Sequence, residues 1–198
     1  MPVKPNTLPE LAIHAVTSPR WPDLEKLFGP RGACAGCWCM WWKLPRSEFD
    51  LLRGDGTRLA LKRLVDAGNV PGLLAYVRSE PVGWCALSPR EAYPRLERSR
   101  VLKRVDNEPV WSVVCFFVAR PFRRKGVTVR LLEAAVAHAR QHGAAIVEGY
   151  PVEPRGTKIP DVFAYTGTIS AFRQAGFVEV VRRSATRPIM RRYVKRDT

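Results

Sequence analysis

No stretch of this 198-residue chain stays apolar for long. The longest runs, Val110 to Ala119 among them, fall well short of the ~20 residues a membrane-spanning helix needs, so no membrane partner is expected. No apolar h-region stands behind Met1-Pro2-Val3-Lys4-Pro5, and the expected compartment is the cytoplasm. Acidic residues are scarce: 18 Asp and Glu stand against 33 Lys and Arg, a formal charge of +15. Such a balance favours anionic partners, whether nucleic acid, a membrane surface or phosphorylated small molecules. No aromatic-basic recognition motif accompanies the charge, so nucleic acid is not the expected partner. Internal repeats and low-complexity tracts are missing too. What remains, 46% hydrophobic and 26% charged residues, is the composition of a globule with a core of its own. One domain is expected over residues 1–198, with its core over about 11–194.

Disulfide logic is also missing. Five cysteines in a chain read as cytoplasmic suggest thiols or metal rather than a bridged framework. Three of them crowd into Cys34-Ala35-Gly36-Cys37-Trp38-Cys39. That spacing invites zinc, yet a structural zinc site wants four ligands and no paired Cys or His follows nearby, so no metal is expected. Cys85 and Cys115 sit in apolar strand-like runs and read as small core residues.

What is present reads as alternating strands and helices. Leu11 to Val16 alternates as a first strand, and Trp21 to Phe28 has Leu24, Leu27 and Phe28 at helical spacing before Gly29-Pro30. Cys34 to Trp42 reads as an aromatic loop and Leu59 to Asp66 as a second helix. Leu73 to Arg78 and Val82 to Leu87 form a hairpin about Ser79-Glu80-Pro81. A polar connection runs from Ser88 to Asn107, then a long buried strand from Val110 to Val118. The next helix carries Val129, Leu132, Val136 and Ala139 on one face, with Gly143 just past its end. A strand from Ala145 to Gly149, a short helix near Thr168 to Gln174, and strands Phe177 to Val181 and about Ile189 to Val194 complete the chain. The order implies a mixed α/β sheet with helices on both faces. His14 reads as a strand packing residue, and His142 as a complement to a helix C-terminus.

One segment carries the clearest chemistry. In Phe117-Val118-Ala119-Arg120-Pro121-Phe122-Arg123-Arg124-Lys125-Gly126-Val127-Thr128 an apolar run stops at a proline. A cationic turn ending in glycine follows, then an amphipathic helix. Gly126 lets the backbone approach an anion closely, and the first amides of the helix lack intrahelical acceptors at the positive end of its dipole. A pyrophosphate-bearing ligand fits that order.

This order of elements, with the cationic turn after the fourth strand, resembles the GCN5-related N-acetyltransferase (GNAT) superfamily from Leu11 to about Val194. The family's Arg/Gln-x-x-Gly-x-Gly/Ala motif stands here as Arg123-Arg124-Lys125-Gly126-Val127-Thr128, and its late Gly-Phe as Gly176-Phe177. The resemblance implies a GNAT-like, mostly antiparallel central sheet of about seven strands. It also implies acetyl-CoA as acyl-donor substrate. Phe116, Phe117 and Val118 would meet the pantetheine arm, and Arg123, Arg124, Lys125, Gly126, Val127 and Thr128 the pyrophosphate. Two positions depart from the pattern. Thr128 replaces Gly or Ala, though its hydroxyl can still meet a phosphate oxygen. Phe172 stands where many relatives carry a tyrosine that protonates the leaving thiolate.

Tyr165, seven residues before Phe172, falls where the family often has an asparagine near the pantetheine, and is the candidate acid. The chemistry implied is attack of an amine on the thioester, with a strand amide near Phe117 or Val118 polarising the carbonyl. Glu148 is the first candidate base, with Glu153 and Asp161 after it. Between the first two helices, within about 20–68, the family builds much of its acceptor pocket, so Trp38, Met40, Trp41 and Trp42 are candidate acceptor-pocket residues. The acceptor stays open among polyamines, aminoglycosides, amino acids and protein N-termini, the basic chain disfavouring polycations. A homodimer also stays open. The alternatives are a GNAT-fold protein that binds coenzyme A without turnover, as sensor or structural ligand, and a basic nucleic-acid-binding module.

Overall fold

The computed structural model describes residues 10–153 and 164–194. Seven strands, β1 (Leu11–Ala15), β2 (Gly72–Val77), β3 (Glu80–Pro89), β4 (Trp111–Val118), β5 (Ile146–Gly149), β6 (Val178–Arg182) and β7 (Pro188–Tyr193), form one sheet in the order β1-β2-β3-β4-β5-β7-β6. Every neighbouring pair is antiparallel except β4 and β5, which the crossover helix α5 (Val127–Gln141) makes parallel. The mostly antiparallel seven-stranded sheet expected from the resemblance is the one observed.

The helices divide between the faces. α5 buries Val127, Leu131, Leu132, Ala135, Val136 and Ala139 against one face, joined there by the short α6 (Ile169–Gln174). Val129, expected on that stripe, is only half-buried, because the stripe turns through Leu131 and Ala135 instead. On the other face lie α1 (Trp21–Phe28), α2 (Arg46–Leu52) and α3 (Asp55–Asp66). Because both faces are covered, every residue of β2 and all of β3 but its two ends are buried. α3 begins earlier than Leu59, and its start is tied to the cysteine loop. The Thr57 hydroxyl donates to the Gly36 carbonyl at 2.6 Å and accepts the Gly54 N–H at 3.1 Å. Sequence periodicity passes over α2, whose only buried residue is Phe49. It passes equally over α4 (Pro94–Glu97), a single turn inside the polar connection that buries only Leu96. Among the described residues, no helix is long and apolar enough to cross a membrane.

Candidate functional site

The site begins where β4 and β5 part. Only Trp111–Val113 pair with Val147–Gly149. Beside the last pair, the register of β4 on β3 jumps from Cys115 to Val113, which leaves Val114 as the extra residue of a bulge. Above the bulge, β4 runs from Val114 to Val118 without a β5 partner. Phe172 fills the root of the opening. A Cβ on Gly149 would stand 2.1 Å from the Phe172 ring, and one on Gly167 2.8 Å from it, so two glycines admit that ring. Phe172 is fully buried and packs edge-on with Phe116 (6.2 Å) and Phe177 (4.9 Å). The position that the resemblance gives to an acid is therefore core.

Tyr165 reaches the open edge by its backbone. Its carbonyl accepts the Phe116 N–H at 2.6 Å. Ala119, by contrast, donates to Val82 on β3 at 2.9 Å. Amides alternate along a strand, so Phe117 also faces β3, and Val118 shares the open edge with Phe116. Of the two amides expected to polarise a carbonyl, Val118 is the one the strand geometry aims at the opening. The half-buried Tyr165 side chain packs on the α1–α3 side of the sheet, near enough to Cys115, Cys37, Arg187 and Arg95 for each to act on its titration. Burial raises its pKa above the ordinary tyrosine value, so the phenol keeps its proton at neutral pH.

Past Val118 the chain makes one 3₁₀ turn, Arg120–Phe122, and then α5. Arg124 (φ 59°) and Gly126 (φ 81°) take left-handed backbone, and Gly126 is the N-cap. Nothing lies within 4 Å of where a Gly126 Cβ would be, so the backbone angle, not crowding, asks for glycine. No side chain caps α5 and no acid lies in its first turn. Its leading amides therefore have no side-chain acceptor, and Arg124 and Lys125 stand just before them, an arrangement that suits an anion. Val127, however, is buried under Gly83 of β3, so its side chain belongs to the core and not to the turn's surface. Arg123 turns back and donates Nε to the Val118 carbonyl at 2.8 Å, tying the turn to the strand end.

The expected base sits elsewhere in character. Glu148 is 1% exposed, and each of its oxygens is held by a guanidinium. Oε1 accepts Arg90 at 2.9 Å and the Tyr150 hydroxyl at 2.7 Å, while Oε2 accepts Arg191 at 2.7 Å. Arg191 also grips Asp106 through two bonds of 2.6 and 2.9 Å, and Arg90 reaches Glu97 at 2.8 Å. Burial and the neighbouring Glu148 raise the Tyr150 pKa far above its ordinary value. We assign Glu148 to this buried ionic cluster, where its charge balances two cations, and not to proton abstraction. Sequence reasoning missed the cluster, since Arg90 and Arg191 are two arginines in a chain full of them. Glu153 pairs with Arg182, and Asp161 lies outside the described residues.

The tryptophan loop divides. Trp38 and Met40 are buried; Trp38 packs with Trp21 and Phe28 at 6.0 and 5.4 Å. Trp41 and Trp42 stay partly accessible. Cys39 and Cys115, buried together, bring their sulfurs to 3.3 Å, and Trp84 Nε1 donates to Cys39 Sγ at 3.1 Å. Hydrogen bonding to Cys115 is the largest influence raising the Cys39 pKa, so Cys39 is a thiol at neutral pH. Cys34 is exposed and Cys37 half-buried. His138 and His142 stack at 4.3 Å beside Trp111, the first residue of β4, and so lie at the opposite end of that strand from the cationic turn. His14 is exposed against Tyr76 at the sheet edge instead of packed inside.

Residues 38–151 match the family model described as the acetyltransferase (GNAT) family, more than half of the chain. No curated protein sequence matches it. Several solved structures share the fold at low identity. An acetyltransferase of the GNAT family from Listeria monocytogenes is similar at TM-score 0.57 and 8% identity, over 94% of this chain and 96% of that one. The PaiA N-acetyltransferase of Thermoplasma acidophilum, solved in complex with coenzyme A, gives 0.53 and 13%, over 93% and 99%. YncA from Salmonella typhimurium, solved with acetyl-CoA, gives 0.54 and 12%, over 94% and 95%.

Proposed function

This chain belongs to the acetyltransferase (GNAT) family, and from that membership we propose that it binds acetyl-CoA and passes the acetyl group to an amine. The observation that carries the reading is the continuity of an unpaired β4 edge with the uncapped N-terminus of α5. An extended amide-bearing arm finds a strand edge there, and a pyrophosphate finds backbone N–H groups, Arg124 and Lys125 one turn further on. Coenzyme A carries both parts, and two solved relatives of the same fold hold it or its acetyl form. Gly126 and Thr128 fit the phosphate end. At the strand, Phe116 has already given its N–H to Tyr165, which leaves the Val118 amide for the ligand or for the acetyl oxygen.

The acceptor ammonium first loses a proton to solvent. Its nitrogen lone pair then forms a bond to the acetyl carbon as the carbon–sulfur bond breaks. The leaving thiolate takes up a proton, and the nitrogen sheds its second one. Tyr165, protonated and on the acceptor side of the open edge, is the group we assign to the thiolate. The Val118 N–H stabilises charge building on the carbonyl oxygen.

A second reading has one observation behind it: Phe172 is sealed into the core where an acid is expected, which suits binding without turnover. Release of free thiol from acetyl-CoA in the presence of an amine panel separates the two. Amine-dependent release supports the enzyme, whereas tight binding with no release under any amine supports the sensor.

A further inference from the structure

Arg95 projects from α4, and its guanidinium carbon lies 3.5 Å from the centroid of the Trp41 ring. That stacking fixes the plane of the guanidinium against the indole. Two other arginines of the same connection have carboxylates: Arg90 has Glu97 and Glu148, and Arg104 has Glu91 and Glu97. Arg95 forms no ion pair among the described residues, and its Nη1, shielded from water, has no acceptor. Asp50, an acid whose charge acts on it, is engaged with Arg46 at 3.5 Å. Burial, and then the Arg46 charge, lower the Arg95 pKa, so the cation is held where it is disfavoured.

The neighbouring group has the same deficit. Trp42 Nε1 is buried without an acceptor, and the Trp42 carbonyl takes the Arg95 backbone N–H at 3.5 Å, so the two orphaned donors belong to adjoining residues. Buried donors left without acceptors are costly, and an anion supplied from outside removes the cost. The patch also adjoins the proposed chemistry, since Arg95 and Arg187 both act on the Tyr165 phenol. Arg187 reaches Thr166, next to Tyr165, at 3.0 Å.

Building on the acetyltransferase reading, we propose that the acceptor is a small amine that carries a carboxylate, and that Arg95 binds this carboxylate beside Trp41 and Trp42. A guanidinium presents two parallel N–H donors, which match the two oxygens of a carboxylate. Such an acceptor also suits a chain of charge +15, which repels polyamines.

The test compares initial rates of acetylation for three acceptors of one skeleton: an amino acid, its carboxamide and its O-phosphoryl amino alcohol analogue. Wild type is set beside Arg95→Gln, which keeps much of the stem on Trp41, and Arg95→Ala. Calorimetry with acetyl-CoA and a thermal melt accompany each variant. The carboxylate should be preferred over the carboxamide by on the order of 30-fold or more in kcat/KM, carried by KM. Both variants should collapse that preference while acetyl-CoA binding persists. Turnover with no carboxylate preference, a preference for the phosphorylated amine, or a preference that survives in both folded variants would overturn the assignment and leave the acetyltransferase reading standing. Acetyl-CoA binding with no acetylation of any amine would overturn both.

Discussion

A tyrosine and a lysine, both pushed off their ordinary titration by burial, carry separate expectations. Tyr165 keeps its proton because its surroundings disfavour phenolate, the state a general acid needs before transfer. Tyr165→Phe should lower kcat by on the order of 100-fold while leaving the fold and acetyl-CoA affinity nearly intact, since its backbone carbonyl still serves Phe116. Stopped-flow or steady-state assays with calorimetry on the same sample check both halves. Lys43 is the reverse case. Burial lowers its pKa from 10.5 to about 8, and the Ser88 hydroxyl at 3.2 Å and the Tyr93 ring are its neighbours. A base with a depressed folded pKa binds its proton better when unfolded, so Lys43 penalises the fold most below pH 8, and the penalty fades as pH rises to 10.5. The Tyr93 contact offsets part of it. Lys43→Met should therefore stabilise the protein by roughly 1–2 kcal/mol at pH 7 and by nearly nothing above pH 10.5, measured as urea midpoints across pH.

Among elements, the cationic turn and the strand before it were legible because their signals are local. Proline and glycine punctuate the segment, and the apolar period changes from strand to helix within a dozen residues. Gly126→Ala should cost about 1 kcal/mol of stability, from the φ of 81° alone, and weaken acetyl-CoA binding without abolishing it. The parting of β4 and β5 was not legible. It depends on a bulge at Val114 against β3 and on Phe172 lying over Gly149, contacts between segments far apart in sequence. Because the Gly149 Cβ would overlap Phe172, Gly149→Ala should cost about 1–3 kcal/mol in a chemical melt and perturb the opening. Short helices escaped for the converse reason. α2 and α4 each bury one apolar residue, too few to set a period. Arg95 rides on one of them, which is why the candidate acceptor contact emerges only from the fold.

For the whole molecule, charge distribution explains what composition left ambiguous. An excess of +15 suggested anionic partners of several kinds, but many of the arginines are occupied by the fold itself. Arg90, Arg191, Glu148 and Tyr150 form one buried cluster, met at its exposed rim by Asp106, that ties β5 and β7 to the connection between β3 and β4. Glu148→Gln should destabilise the protein by about 3 kcal/mol, because two guanidiniums lose their shared counter-charge. The activity of the remaining folded fraction should persist, whereas a catalytic base at this position would lose it at full stability. The cations of the turn before α5 are the ones we propose to hold coenzyme A. The decisive measurement is a calorimetric titration of the purified protein with acetyl-CoA, for wild type and for Arg124→Ala/Lys125→Ala. We expect saturable binding of one acetyl-CoA per chain, weakened by on the order of tenfold in the double variant and by added salt. Absence of binding to the wild type, or binding indifferent to the turn, would contradict this proposal.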